Sequence, residues 1–177
     1  MTGTDPMSGL TRDEINDSLV FAWHVNDTLH EQTRLADAKA AAIVAFTAAL
    51  FVSLAARMSA SPAGAHPVSL LMRCLMATAM GFFLLAGLFA LIAILPRMRR
   101  SAGRAHVAFT DLLVHGSIQT YVQSYHALTQ EQRLEQILES NYAISSINRA
   151  KFRLITLAVG SLLLGIVAAG LSVLIHA

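Results

Sequence analysis

The stretch "LLMRCLMATAMGFFLLAGLFALIAIL", residues 70–95, decides the fold class. It exceeds the roughly twenty apolar residues that cross the hydrocarbon core of a bilayer as a helix, and its only charge is Arg73. Two more stretches, 40–56 and 154–175, are also apolar enough to span. We therefore predict three transmembrane helices, at residues 38–57, 68–96 and 153–175, with 58–67 as a short external loop.

The composition indicates a membrane protein, because 55% of the residues are hydrophobic and only 14% are charged. A chain of 177 residues has room for a few spans and one small extramembrane unit, but not for a large enzyme domain as well. We therefore expect no enzyme activity. The net charge of +2 is too small to indicate a nucleic-acid partner.

Basic residues predict the orientation. With the N-terminus in the cytoplasm, two basic residues are external, Arg57 and Arg73, and the others are cytoplasmic. The cytoplasmic set is Arg12, Arg34, Lys39, Arg97, Arg99, Arg100, Arg104, Arg133, Arg149, Lys151 and Arg153. We therefore predict a membrane protein with a cytoplasmic N-terminus and an external C-terminus.

The first cytoplasmic segment, residues 1–37, is predicted to form an amphipathic helix. Ile15, Leu19, Ala22 and Leu29 fall on one face, which Asn26 interrupts. A single Asn in an apolar seam can fix the register of a helix against a partner, although an ordinary surface helix has the same pattern.

The second cytoplasmic segment, residues 97–152, is predicted to form a helical hairpin. Thr129 and Gln132 have the spacing of a capping box that starts its second helix. Each helix has an apolar stripe, and we expect the two stripes to pack together antiparallel. The stripes are Ile118, Tyr121, Val122 and Tyr125, and Leu134, Ile137, Leu138, Asn141 and Ile144. The second helix is expected to continue into the third span.

The order of these elements resembles the Pycsar effector family over roughly residues 15 to 175. The motifs that carry the resemblance are "ADAKAAA" at the entry to the first span, "ILPRM" after the second span and "NRAKF" before the third. The resemblance implies an anti-phage effector that responds to a cyclic pyrimidine mononucleotide, cCMP or cUMP, from a partner cyclase. Such an effector lies in the bacterial inner membrane, impairs that membrane and halts the infected cell.

A cyclic mononucleotide has one diester charge, a sugar and a flat base, so its site needs a cation, hydrogen-bond donors and a stacking face. The arginines near Pro96 have an alternative role in topology and lipid contact, and Tyr121, Tyr125 and Tyr142 have one in the hairpin core. Candidates for nucleotide binding or switching are Arg34, Asp37, Lys39, Arg97, Arg100, Arg104, Tyr121, Tyr125, Arg149 and Lys151.

Asp37 and Lys39 lie where the polar helix enters the apolar stretch. They are two residues apart and point in different directions, so we do not expect them to pair. Arg34 shares a face with Asp37, and Lys151 lies at the same expected depth on another helix. Asp37 is predicted to pair with one of these two, either as a structural clasp or as part of a nucleotide-responsive switch. Lys39 is left for headgroups, phosphate or a carbonyl.

Ser161, Gly165 and Ala169 form a stripe of small residues on the third span. Such stripes allow helices to approach closely, either within one chain or between subunits, and we assign this one to contact in a homo-oligomer. No histidine spacing or cysteine cluster indicates a metal site, and no resident cofactor is expected. Two other functions stay open: a membrane scaffold or conjugation-type transfer component that binds a protein through its N-terminal helix, and a small transporter. Few charges within the spans speak against the transporter.

Overall fold

The structure of the chain is a computed structural model that describes residues 11–59, 70–95 and 117–175. These residues form four α-helices: α1 (Arg12–Ser59), α2 (Leu70–Ile94), α3 (Ile118–His126) and α4 (Gln130–Leu174). Helix accounts for 95% of the described residues, and no strand occurs among them. The predicted all-α fold is confirmed.

Among the described residues, α1, α2 and α4 are long and apolar enough to cross a membrane, as predicted. The 48-residue α1 contains both the predicted amphipathic helix and the first span. Likewise, α4 continues from the second cytoplasmic helix into the third span without a break, as expected.

Capping residues explain where the two long helices begin. At the start of α1 the backbone N–H of Thr11 donates to Glu14 Oε2 at 2.7 Å, and that of Glu14 donates to Thr11 Oγ1 at 3.4 Å. The Thr11 N–H, followed by its hydroxyl, holds the pKa of Glu14 below its usual value. At the start of α4, Thr129 and Gln132 exchange the same pair of bonds, at 3.0 and 3.3 Å. The predicted capping box is confirmed.

The chain divides into two compact units, whose boundaries fall after residues 33 and 148. The described part of unit 1 comprises residues 11–33 and 117–148. The described part of unit 2 comprises residues 34–59, 70–95 and 149–175. Unit 2 contains nearly all of the predicted spans, and unit 1 contains polar segments.

In unit 1, α1 and α4 pack side by side. Leu134 and Ile137 of α4 are buried in a cluster with Ala22 and Leu19 of α1. The sequence paired Leu134 and Ile137 with the preceding helix, whereas the structure buries them against α1, and Ile118 of α3 is 76% exposed. Helix α1 offers its apolar stripe over many turns, whereas α3 has only nine residues. The hairpin as a whole stays a prediction. Residues 97–116 of the expected hairpin lie outside the described residues.

Unit 2 is a bundle of three helical segments. At one end, Ala36 and Ala40 of α1 pack with Ala90 and Ala93 of α2 and with the segment 155–158 of α4. At the other end, a second cluster contains Leu54 of α1, Ala168 of α4, and Met76, Ala79 and Phe83 of α2. Within this unit α1 and α4 therefore run parallel to each other, and α2 runs antiparallel to both. The small alanines let the helices approach closely.

One series of buried and half-buried positions in α1 recurs with alternating spacings of four and three residues. Its members are Ile15, Leu19, Ala22, Asn26, Leu29, Thr33, Ala36, Ala40, Ile43, Thr47, Leu50 and Leu54. The corresponding series in α4 includes Leu134, Ile137, Asn141, Ile144, Asn148, Lys151, Ile155 and Ala158. Within each unit, this is the heptad spacing by which two helices pack along a seam.

Candidate functional site

Two asparagines, one from each helix, form a polar layer in the seam of unit 1. Asn26 Nδ2 donates to Asn141 Oδ1 at 2.8 Å, and Asn141 Nδ2 donates to the carbonyl oxygen of Ala22 at 2.9 Å. Both side chains are buried. The amide of Asn141 therefore contacts the backbone carbonyl of Ala22 and the side chain of Asn26, four residues further along α1. Of the two interpretations that the sequence left open for Asn26, the structure has the seam against a partner helix, and that partner is α4 of the same chain.

A second layer repeats this geometry seven residues further on in both helices. Asn148 Nδ2 donates to the carbonyl oxygen of Leu29 at 3.0 Å, and Thr33 Oγ1 lies 2.7 Å from Asn148 Oδ1. Again one asparagine of α4 contacts a carbonyl and the side chain four residues beyond it. We call Asn26, Thr33, Asn141 and Asn148 the polar ladder.

Unit 2 contains an ion pair between the same two helices. Lys151 Nζ lies 2.5 Å from Asp37 Oδ1, and the Lys151 side chain is only 8% exposed, whereas that of Asp37 is 39% exposed. Of the two partners that the sequence left open for Asp37, the structure has Lys151. Burying an ammonium is costly unless an opposite charge compensates it. Asp37 therefore makes it possible for Lys151 to occupy a seam position.

The other described candidates do not meet at one point. Arg34, Lys39 and Arg149 are all exposed. At 100° per residue, the side chains of Arg34 and Lys39 leave α1 about 140° apart. Arg97, Arg100 and Arg104 lie outside the described residues, as do the side chains of Tyr121 and Tyr125. The structure thus brings together one predicted pair, Asp37 with Lys151.

Two interpretations of individual residues change. Tyr142, considered for the hairpin core, is 80% exposed. Ser161 and Gly165, assigned to contact between subunits, are buried inside the chain, and Ala169 packs against the second cluster of unit 2. The alternative, packing within one chain, is what the structure has. Because Gly165 has no side chain, α4 can approach Phe83 of α2 closely at this position.

Sequence reasoning missed Thr33 and Asn148 and the parallel pairing of α1 with α4. The available signal was the spacing: Asn141 and Asn148 are seven residues apart, as are Asn26 and Thr33. Polar residues that recur at heptad positions of two helices indicate matching layers in a shared seam. Within the described residues, no group of three or more His, Cys, Asp or Glu side chains could hold a metal ion.

We expect Asn141→Leu to lower the free energy of unfolding by about 1 to 2 kcal/mol, because the buried amide of Asn26 loses its acceptor. Denaturant titration in detergent micelles measures this. The double variant Asn26→Leu/Asn141→Leu should recover the loss, because no unpaired polar group remains, but it should populate more than one oligomeric state in size-exclusion chromatography. A double variant as unstable as the single one would contradict this account of the layer.

Comparison with known proteins adds one finding. Residues 21–176 match the sequence profile of a known family, described as the Pycsar effector protein domain. The matched region includes the whole polar ladder, the ion pair and most of the described helices. No curated protein and no solved structure matches the chain.

Proposed function

Because the chain belongs to the Pycsar effector family over residues 21–176, we propose that it is the membrane-acting effector of a bacterial anti-phage system. In this proposal cCMP or cUMP from a partner cyclase activates it. The activated protein impairs the integrity of the inner membrane, and the infected cell stops growing or dies. The family match is the observation that carries the proposal, and the three helices able to cross a membrane support it.

In this proposal the protein is not an enzyme, and the nucleotide acts by changing its conformation. A ligand shifts a conformational equilibrium only if it binds one state better than the other. The ion pair Asp37–Lys151 is the contact that we propose as the switch, because it joins α1 to α4 and one of its members is accessible to solvent. A nucleotide that prefers the state without this contact would favour the active form.

The proposed ligand contacts come from the remaining candidates. A mononucleotide has one diester charge, so it needs one or two of the cations and not the whole set. Because Arg34 and Lys39 diverge, one ligand cannot contact both. We propose that the site draws its groups from Arg97, Arg100, Arg104, Tyr121 and Tyr125.

Membrane damage by this protein is proposed to need several copies. Apart from the Asp37–Lys151 pair, the described part of unit 2 packs apolar residues against one another and leaves only a few buried hydroxyl groups, such as those of Thr47, Ser161 and Ser172. Such a core cannot line an aqueous channel. Because Ser161 and Gly165 are used inside the chain, the subunit contacts of the proposed homo-oligomer lie on other surfaces.

We predict that the N-terminus is cytoplasmic and the C-terminus external. Parallel α1 and α4 with antiparallel α2 in unit 2 give an odd number of crossings, and the basic residues favour a cytoplasmic N-terminus. Alkaline phosphatase and fluorescent-protein fusions at each end measure this. Finding both ends on the same side would contradict the three-span topology.

The function is tested by isothermal titration calorimetry of the full chain in detergent against cCMP and cUMP, with cAMP as the control. The same nucleotides are then added to dye-filled vesicles that contain the protein. We expect saturable binding of at least one pyrimidine nucleotide and dye release on its addition, and neither effect with cAMP. A folded, inserted protein that binds neither pyrimidine nucleotide would overturn the proposal.

A further inference from the structure

Four exposed cations surround the polar end of unit 2. They are Arg34 and Lys39 on α1 and Arg149 and Arg153 on α4; we call them the cationic collar. Asp37 is the only acidic residue among the described residues of unit 2, and it is paired with Lys151. No described carboxylate in this unit is therefore left to neutralise the collar.

The collar occupies a narrow band along the bundle. The contact between Asp37 and Lys151 aligns α1 with α4, and each collar residue lies within three positions of one of these two. At 1.5 Å per residue the band is about 8 Å deep. This is close to the depth of the headgroup layer of a bilayer, because the full bilayer exceeds its hydrocarbon core by about 5 to 8 Å on each side.

The collar also ends where charge disappears from both helices. Beyond Lys39, α1 has no charged residue before Arg57, and beyond Arg153, α4 has none up to its end. The segments that follow are apolar enough to lie in hydrocarbon. Each collar side chain is thus at the polar edge of a spanning segment, where long basic side chains reach the headgroups.

The directions of the four collar side chains indicate which phosphate-bearing ligand they can bind. Arg34 and Lys39 leave α1 about 140° apart, whereas Arg149 and Arg153 leave α4 only about 40° apart. One mononucleotide, with a single phosphodiester, cannot contact cations that face different sides of the bundle. Separate phosphodiesters arranged around the bundle can, and an anionic phospholipid such as phosphatidylglycerol presents that group at this depth.

We propose that the cationic collar binds the phosphates of anionic phospholipids and so holds a shell of these lipids around the bundle. The inference is independent of the proposed function. Cyclic nucleotides and phospholipids both carry a phosphodiester group that these cations could bind. We assign the collar to the phosphodiester of the lipid. Each exposed cation near an anionic surface strengthens the attraction about fivefold at moderate ionic strength.

Native mass spectrometry of the full chain from nanodiscs with equal phosphatidylglycerol and phosphatidylcholine tests the proposal. We expect phosphatidylglycerol to be enriched several-fold among the retained lipids. The quadruple variant Arg34→Gln/Lys39→Gln/Arg149→Gln/Arg153→Gln should abolish the enrichment. Arg12→Gln, which removes an exposed cation from the polar start of α1, should leave it unchanged, and so should the charge-conserving Arg34→Lys/Arg149→Lys/Arg153→Lys.

A second arm distinguishes the two sources of phosphate. Excess cCMP or cUMP added to the nanodiscs should not displace the retained phosphatidylglycerol, whether or not calorimetry detects nucleotide binding. Enrichment that persists in the quadruple glutamine variant, or loss of the lipid on addition of the nucleotide, would overturn the assignment of the collar to lipid.

Discussion

Asp37→Ala is expected to lower the free energy of unfolding by about 2 kcal/mol, because it leaves the Lys151 ammonium buried without its carboxylate. The cost of breaking a fully buried pair is about 3 to 5 kcal/mol, and it is smaller here because Asp37 is 39% exposed. Denaturant titration in detergent micelles measures the change. Asp27→Ala, which removes an exposed acid from the same helix, is the matched control and should change little.

The partner variant separates the two sides of the pair. Lys151→Met leaves Asp37 without a partner, but the carboxylate is accessible enough to be hydrated, so we expect a smaller loss than in Asp37→Ala. The double variant Asp37→Ala/Lys151→Met removes both charges and should be more stable than Asp37→Ala alone. If Asp37→Ala were the milder single change, the geometry of the pair would not explain its stability.

Asp37→Ala is also expected to affect function if the protein has the proposed activity. Removing an acid makes the entry to the span more apolar, so membrane insertion of Asp37→Ala should not suffer. In cells that also express the partner cyclase we expect phage protection to be lost, while immunoblots of membrane fractions show ordinary amounts of protein. Full protection by Asp37→Ala would mean that the ion pair is structural only.

Gly165→Leu is expected to destabilise the bundle by about 3 kcal/mol, the upper part of the range for overpacked cores. A Cβ atom at residue 165 would lie 2.6 and 2.7 Å from two ring carbons of Phe83 and 3.3 Å from the carbonyl oxygen of Ala79. Phe83 is buried, so its ring has little room to move. Thermal unfolding in micelles, followed by circular dichroism, measures the loss.

The same helix provides a control for this substitution. Gly160 has nothing within 4 Å of the position where its Cβ would be, so Gly160→Leu should leave stability nearly unchanged. Phe83→Ala combined with Gly165→Leu should recover part of the loss. Equal effects at Gly160 and Gly165 would show that helix flexibility, and not contact with Phe83, is what Gly165 provides.

The contact between Gly165 and Phe83 changes how a loss of assembly would be interpreted. If Gly165 lay between subunits, as its place in the small-residue stripe suggested, fewer oligomers in Gly165→Leu would indicate a lost subunit contact. In the structure, the residue is buried within one chain, so fewer oligomers in Gly165→Leu would follow from a disturbed bundle. A test of assembly needs substitutions on exposed positions such as Gly160, which change the outer surface without disturbing the contact with Phe83.

The sequence predicted what depends on local or strongly periodic signals. Apolar runs predicted three spanning helices, and Thr129 with Gln132 predicted a helix start. The partners of the helices were harder to predict. An apolar stripe shows which face of a helix is buried but not against what, so the stripe at Leu134 and Ile137 was matched to the neighbour in sequence, whereas α1 offers the longer seam.

The candidate site was likewise predictable only in part. Asp37 had two possible partners, and choosing between them required the register of α1 against α4, which no local pattern supplies. The exposure of Tyr142 was missed for a related reason: it follows Leu138 and Asn141 closely in sequence, but at 100° per residue it faces away from the seam. Thr33 and Asn148 have no local signature, and only the heptad spacing of both helices together indicates them.

The seven-residue repeat of the polar ladder makes the alignment of α1 and α4 ambiguous on its own. If α4 slid by one heptad, about 10 Å, towards the start of α1, Asn148 would reach Ala22 and Asn26 and form a complete layer in the wrong place. If it slid the other way, Asn141 would do the same with Leu29 and Thr33. The charges resolve the ambiguity, because either displacement places Lys151 opposite His30 or Val44 in place of Asp37. A misaligned pair of helices thus keeps one layer of hydrogen bonds but has an uncompensated ammonium, so we expect it to be less stable than the native alignment.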